Sequence, residues 1–140
     1  YNEKKEKFFI HINVEKENLS AYMDSRLISQ VIFNLVDNAM KYSPEGTNIV
    51  IKAEADGNDL KISVIDEGAG ISDEDKAKIF DMFYTVNNKI ADGRRGLGLG
   101  LALCKAVIEA HGGKVNIMDN KPCGTIFSFD IKSDVENDNE

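Results

Sequence analysis

Across residues 24–42 the chain carries Leu27, Ile28, Val31, Ile32, Leu35, Val36 and Ala39 at three- and four-residue intervals. That period belongs to an α-helix, and it predicts about five turns with one continuous apolar face. Asp24 offers a side-chain oxygen to cap the first turn, and Ser43-Pro44-Glu45-Gly46 ends the run. A helix this one-sided has to lie on a second layer. Residues 7–14, 48–55, 60–66, 114–118 and 125–132 can supply it, being rich in β-branched and aromatic side chains and bounded by turn residues.

The connections narrow the arrangement further. Asp56-Gly57-Asn58-Asp59 joins two strand-like runs and predicts a tight hairpin. Residues 19–23 read as a short strand or an extended lead-in to the long helix. Ser72 followed by Asp75 is a capping pattern, opening a short helix that reaches about Phe80. From 81 to 95 the periodicity is lost, and a connection of that length is expected to be functional. A second long helix is predicted from Gly98 to His111, stopped by Gly112-Gly113. The expected fold class is α/β: a two-layer sandwich in which a mixed, mostly antiparallel sheet packs against helices.

Composition sets the outer limits. The 140 residues are 42% apolar and 29% charged with only 2 Pro, which fits one folded domain, expected over residues 1–132. The net charge is −7, and residues 133–140 hold four acids and no base, so an acidic, disordered tail is expected there. The mildly acidic body argues against nonspecific nucleic-acid binding. The two cysteines, Cys104 and Cys123, form no Cys-x-x-Cys, which points to a reducing compartment with no zinc or disulfide framework. No apolar run approaches the length of a membrane span, no signal peptide is visible, and a first residue other than Met suggests a piece of a longer protein.

Chemistry is concentrated in three places. Gln30, Asn34, Asn38 and Lys41 repeat at helical intervals on a different face from the apolar one. Asparagine is a mediocre helix former, so two of them beside an apolar face call for a use. An amide oxygen suits Mg2+ that keeps most of its water and bridges phosphates, and a lysine adds a point charge for the same phosphates. Asp66 closes a strand and is followed at once by Gly68 and Gly70, where the backbone can come close to a flat ring whose amino group the carboxylate accepts. Arg94-Arg95-Gly96-Leu97-Gly98-Leu99-Gly100-Leu101 alternates glycine and leucine into the second long helix, uncovering N–H groups beside the positive end of a helix dipole. Taken singly, each is also what an ordinary helix border, β-turn or loop would carry.

Their order is more specific. Asn-x-x-x-Asn-x-x-Lys-Tyr, Asp-x-Gly-x-Gly-Ile, Phe80-Asp81-Met82-Phe83-Tyr84, Gly-x-Gly-x-Gly-Leu and a final Gly124-Thr125 resemble the ATP-binding domain of sensor histidine kinases. They match that family's N, G1, F and G2 boxes and its last glycine-threonine element. Within it, Phe83-Tyr84-Thr85, Asn88-Lys89-Ile90-Ala91-Asp92 and the Arg-Gly-Leu-Gly-Leu-Gly-Leu-Ala-Leu-Cys-Lys run are similar to the Kdp-type potassium-responsive kinases. The resemblance implies the Bergerat or GHKL fold, a mixed sheet under three helices, and ATP with Mg2+ as ligands. It implies that Asn38 holds the metal with help from Asn34, and that Lys41 and Tyr42 contact phosphate and the nucleotide edge, Asn38 and Lys41 being the catalytic pair. Asp66, with Gly68, Gly70, Ile71 and Thr125, would form the base pocket. Gly96, Gly98 and Gly100 would wrap the phosphates with Leu97, Leu99 and Leu101 between and after them, Arg95 adding charge from a lid over residues 81–95. Phe80 and Phe83 are similar to the phenylalanines that anchor the lid and dock on the helical dimerisation domain. Leu97 departs from the small or hydroxyl residue common between the first two lid glycines.

The resemblance also covers ATP-hydrolysing relatives of gyrase, Hsp90 and MutL, which carry a glutamate as general base one turn before the metal-binding asparagine. Here that position is Asn34, and a neutral amide cannot take a proton. A neutral imidazole needs no base to act as a nucleophile, so the substitution favours phosphoryl transfer to histidine. His11, expected as a half-buried strand residue, and His111, expected as a favourable charge at a helix end, do not read as acceptors. The acceptor is expected on a dimerisation helix preceding Tyr1, and this monomeric piece is expected to bind Mg-ATP with little autophosphorylation. The implied setting is the cytoplasmic part of a membrane-bound bacterial sensor kinase serving a response regulator, in a potassium or osmotic response. The alternative is a nucleotide-sensing scaffold without kinase activity.

Overall fold

A computed structural model describes residues 8–14, 24–57, 59–81 and 100–132. The chain order is β1 (Phe9–Val14), α1 (Ser25–Tyr42), β2 (Asn48–Asp56), β3 (Asp59–Ile65), α2 (Asp73–Lys76), α3 (Gly100–Ala110), β4 (Val115–Asp119) and β5 (Thr125–Lys132). The strands form one sheet in the order β1-β2-β3-β5-β4. β1 runs parallel to β2, a pairing that requires a crossover, and α1 is the element between them. Every other pairing is antiparallel. This is the expected mixed, mostly antiparallel sheet with three helices among the described residues.

Helix α1 begins where its sequence says it should. Asp24 accepts from the backbone N–H groups of Arg26 and Leu27 at 3.0 and 3.3 Å. Its buried stripe is Ile28, Val31, Leu35, Val36, Ala39 and Met40. Two residues depart from the expected face: Leu27 is 44% exposed and Met40 is buried. Both follow from geometry, since Met40 continues the Val36 row at a four-residue step while Leu27 lies on the flank of the stripe.

The stripe faces alternate residues of the central strands, Leu60, Ile62 and Val64 of β3 and Phe127, Phe129 and Ile131 of β5. Fully burying a side chain such as Phe129, Ile49 or Ile131 contributes about 1.5–3 kcal/mol relative to exposure. Phe80 packs on this core edge-to-face with Phe127, ring centroids 6.3 Å apart. Ser72 caps α2 by accepting from Asp75 N–H at 3.1 Å, as expected. Regular helix stops at Lys76, however, and the chain reaches Phe80 through turns. β3 likewise ends one residue early, at Ile65, because the Asp66 carboxyl turns inward to bond the backbone. The hairpin at residues 56–59 joins β2 and β3 with Asp56 opposite Asp59.

Helix α3 lies antiparallel to α1. The Asp24 N–H, at the start of α1, donates to His111 Nε2 just past the end of α3 at 3.0 Å. Midway along both helices, Cys104 Sγ lies 3.8 Å from Asn34 Nδ2 and 3.9 Å from the Val31 carbonyl. His111 Nδ1 bonds the Val107 carbonyl at 2.8 Å. With one ring nitrogen bonded to the start of α1 and the other to its own helix, His111 serves as a bridge between the two helices. His11 is exposed, not half-buried, β1 being at the edge of the sheet among the described strands, and its Nε2 bonds Asn48 at 2.9 Å. No helix among the described residues is long and apolar enough to cross a membrane. The expected strand or lead-in at 19–23, the lid and the acidic tail lie outside the described residues.

Candidate nucleotide-binding site

The ends of β3 and β5 meet at Asp66. Asp66 is 5% exposed, and its Oδ1 accepts from Gly68 N–H at 2.9 Å and from Thr125 N–H at 3.1 Å. Its own N–H donates to the Thr125 carbonyl at 2.9 Å, and its carbonyl accepts from Asn120 Nδ2 at 2.9 Å. Among the described residues nothing hydrogen-bonds Oδ2. One oxygen is thus pinned by the backbone while the other keeps its acceptor capacity. Burial pushes the Asp66 carboxyl above the ordinary aspartate value, and the bonds from Gly68 and Thr125 pull the other way.

Two glycines let the backbone crowd around this carboxylate. A Cβ on Gly68 would stand 2.6 Å from the Tyr42 carbonyl, so the base turn rests against the end of α1. A Cβ on Gly124 would stand 2.0 Å from the Asp66 carbonyl oxygen, and Gly124 has φ +107°, a conformation that side chains disfavour. Glu67 braces the turn from the other side, its Oε1 accepting from Asn48 N–H at 2.8 Å. Gly70 and Ile71 continue the chain from there, with Ile71 packed on the core. Thr125 is 3% exposed, so the structure uses its backbone to hold Asp66.

The second group of predicted residues lies on α1. Asn34 and Asn38 are half-buried, one turn apart. Lys41 is half-buried, and its ammonium sits 5.4 Å from the centre of the Tyr42 ring, which is 43% exposed. The antiparallel pairing of α1 and α3 brings in the third group. Asn34 stands level with Cys104, and four residues along each helix is about 6 Å of rise. Asn38 is therefore level with Gly100, where α3 begins, and Leu101 follows it half-buried. The positive end of the α3 dipole accordingly faces the Asn38 and Lys41 end of α1. Arg95, Gly96, Leu97, Gly98 and Leu99 lie outside the described residues.

The donor set bears on the metal. Among the described residues no three His, Cys, Asp or Glu side chains gather to hold an ion. Two neutral amides fit a Mg2+ that keeps its water and takes its negative ligands from phosphates. A separate hollow of about 450 Å3 lies between the α2–Phe80 turn, α3 and β4; Phe80 lines it, and none of the predicted nucleotide- or metal-binding residues does. Sequence reasoning missed Asn120, Glu67 and Asn48 around Asp66. Asn120 could have been suspected only from its place at the close of a strand before a Pro-Cys-Gly turn.

The described site thus pairs a pinned carboxylate with an asparagine–lysine line at a helix N-terminus. Residues 23–135 match the sequence pattern of the histidine kinase-, DNA gyrase B- and HSP90-like ATPases. The chain belongs to that family. It is 46% identical over 126 residues to the sensor protein KdpD of Clostridium acetobutylicum, covering 90% of this chain and 14% of that protein. The Kdp-type resemblance read from the motifs agrees with this match. Among solved structures, the catalytic domain of the histidine kinase ThkA superposes with a TM-score of 0.79 at 32% identity, covering 94% of this chain and 84% of that one. ThkA has also been solved in complex with the response regulator TrrA (TM-score 0.77, 32% identity, 96% and 37% covered). Full-length ShkA in complex with AMPPNP superposes with a TM-score of 0.78 at 28% identity, covering 94% of this chain and 26% of that one. The fold is the GHKL sandwich of histidine kinase catalytic domains, and the similar proteins named here are sensor or histidine kinases.

Proposed function

We propose that this chain binds Mg-ATP and presents the γ-phosphate to a histidine on a helical dimerisation domain of the same kinase, which in turn phosphorylates a response regulator. The observation that carries the reading is Asp66, a buried carboxylate with one oxygen pinned by two backbone N–H groups and the other open to accept the amino group of adenine. Asn38, assisted by Asn34, would hold Mg2+, which when bound supplies charge neutralisation between phosphate oxygens. Lys41, the α3 N-terminus and the glycine run at 96–100 would hold the phosphates, with Arg95 adding charge. Asn34 offers no general base, consistent with an imidazole acceptor.

His111 is a poor acceptor on this reading, since both ring nitrogens are engaged within the fold. His11 sits in β1, bonded to Asn48. Residues 1–132 would form the nucleotide-binding unit, which the parent protein would hold on the cytoplasmic side of a membrane as part of a sensor. Calorimetry with a non-hydrolysable ATP analogue, with and without Mg2+, tests the reading on the chain and on Asp66→Ala. Binding that survives Asp66→Ala unchanged sinks the base-pocket assignment. Label from ATP appearing on His11 or His111 of the isolated chain sinks the assignment of the acceptor to another domain.

A further inference from the structure

Two buried hydroxyls lack a hydrogen-bond partner, Ser43 Oγ and Ser128 Oγ. Their surroundings differ. Ser128 sits within β5 opposite Ser63 of β3, and strand alternation puts it on the sheet face away from the helices. Ser43 follows Tyr42 at the end of α1, is 9% exposed, and lies against the base turn. A Cβ placed on Gly68 would be 3.1 Å from Ser43 Oγ and 3.3 Å from Asp66 Oδ1. Hydroxyl and carboxylate therefore flank one point without bonding each other. An unpaired buried hydroxyl costs free energy that an alanine would not, so it calls for a use.

Lone-pair accounting supplies one. A carboxylate has about four acceptor sites. The N–H groups of Gly68 and Thr125 take the two on Oδ1, which leaves the two on Oδ2, and the amino group of a bound adenine takes one of these. We propose that Ser43 fills the fourth. When nucleotide binds, its O–H donates to the Asp66 carboxylate, making Ser43 a positioning residue for the group that selects a 6-aminopurine. The inference rests on the nucleotide-binding reading above. In the bound state that charge-assisted bond favours the ionised form of Asp66, which is the form that accepts from the base.

The test is calorimetry in Mg2+ with two probes, a non-hydrolysable ATP analogue and the corresponding purine riboside analogue lacking the 6-amino group. For Ser43→Ala the expected result is about tenfold weaker binding of the ATP analogue. Binding of the deamino analogue stays the same, and the ligand-free melting temperature stays unchanged or rises. Ser128→Ala should shift the melting temperature in the same direction and leave both affinities alone. Equal affinity of Ser43→Ala and the parent for the ATP analogue overturns the inference, and so does an equal loss for both probes. A melting temperature lowered by several degrees overturns it too, since the hydroxyl then has a partner in the ligand-free chain. If the unaltered chain binds neither probe, the nucleotide-binding reading itself falls, an outcome distinct from the others.

Discussion

The base end and the phosphate end of the site are built in opposite ways. At the base end a side chain from the β3 terminus is held by the backbone of residues up to 59 positions away, and a second side chain, Asn120, fixes its carbonyl. At the phosphate end Asn34, Asn38 and Lys41 project from one helix, and the bonds they make are soft: a 3.8 Å contact to a thiol and a cation over a ring at 5.4 Å. The first arrangement is preorganised and tied into the stability of the sheet. The second leaves its groups available for ligands. Changes to the backbone that pins Asp66 should therefore damage fold and binding together, while changes at the phosphate end should damage function alone.

The largest expected effect is at Gly124. Gly124→Ala puts a Cβ 2.0 Å from the Asp66 carbonyl in a positive-φ conformation. We expect a loss of about 3–4 kcal/mol in chemical denaturation, together with nucleotide binding. A stable Gly124→Ala protein with intact binding would break the comparison outright. Next, Asp66→Asn should weaken an ATP analogue by about 100-fold in calorimetry, because the amide cannot accept from both the backbone and the base.

The same residue carries a pH signature that sharpens the contrast. Burial raises the Asp66 pKa above 3.8, so the folded chain holds this proton more tightly than the unfolded one. Its contribution to ligand-free stability therefore declines as pH rises through the interval above 3.8, whereas nucleotide affinity declines as pH falls through it. Titrating the two in parallel should give opposite slopes, and Asp66→Asn should flatten both.

At the phosphate end, Asn38→Ala should cost about tenfold in affinity only when Mg2+ is present, with stability within about 0.5 kcal/mol of the parent. An equal loss without Mg2+ would move the metal assignment elsewhere. The smallest effect concerns the thiols. Cys104 is buried between α1 and α3 with its pKa pushed up to about 11, mainly by burial, whereas Cys123 is exposed. A thiol reagent near neutral pH should modify Cys123 alone in the folded chain, counted by intact mass.

Much of the fold could be read from periodicity. The apolar rows of α1, the alternation in β3 and β5 and the 56–59 turn each have a local cause, and they lie where the sequence puts them. Burial errors fell at flanks, as with Leu27 and Met40, where a few degrees of helix rotation decide exposure. The role of His111 was illegible because its partner, Asp24 N–H, is 87 positions away and is backbone, which no pattern records. The same reason hid Asn120, whose partner is the Asp66 carbonyl 54 positions away. Asp66 was legible because a carboxylate between a strand and two glycines is an odd place to leave a charge. Its two bonds to Gly68 and Thr125, which explain why it can be left there, come only with the sheet.

The pairing of β3 with β5 also bears on how this chain comes into being. Asp66 cannot be held until Thr125 arrives beside it, and Thr125 follows α2, the 81–99 connection, α3 and β4. Closing so long a loop is slow compared with forming α1 or the β2–β3 hairpin. During synthesis the first two-thirds of the chain can therefore acquire secondary structure while having no base pocket at all. A pulse-labelled series of arrested chains should gain nucleotide protection against protease abruptly, once β5 has cleared the ribosome, and not in steps along the way.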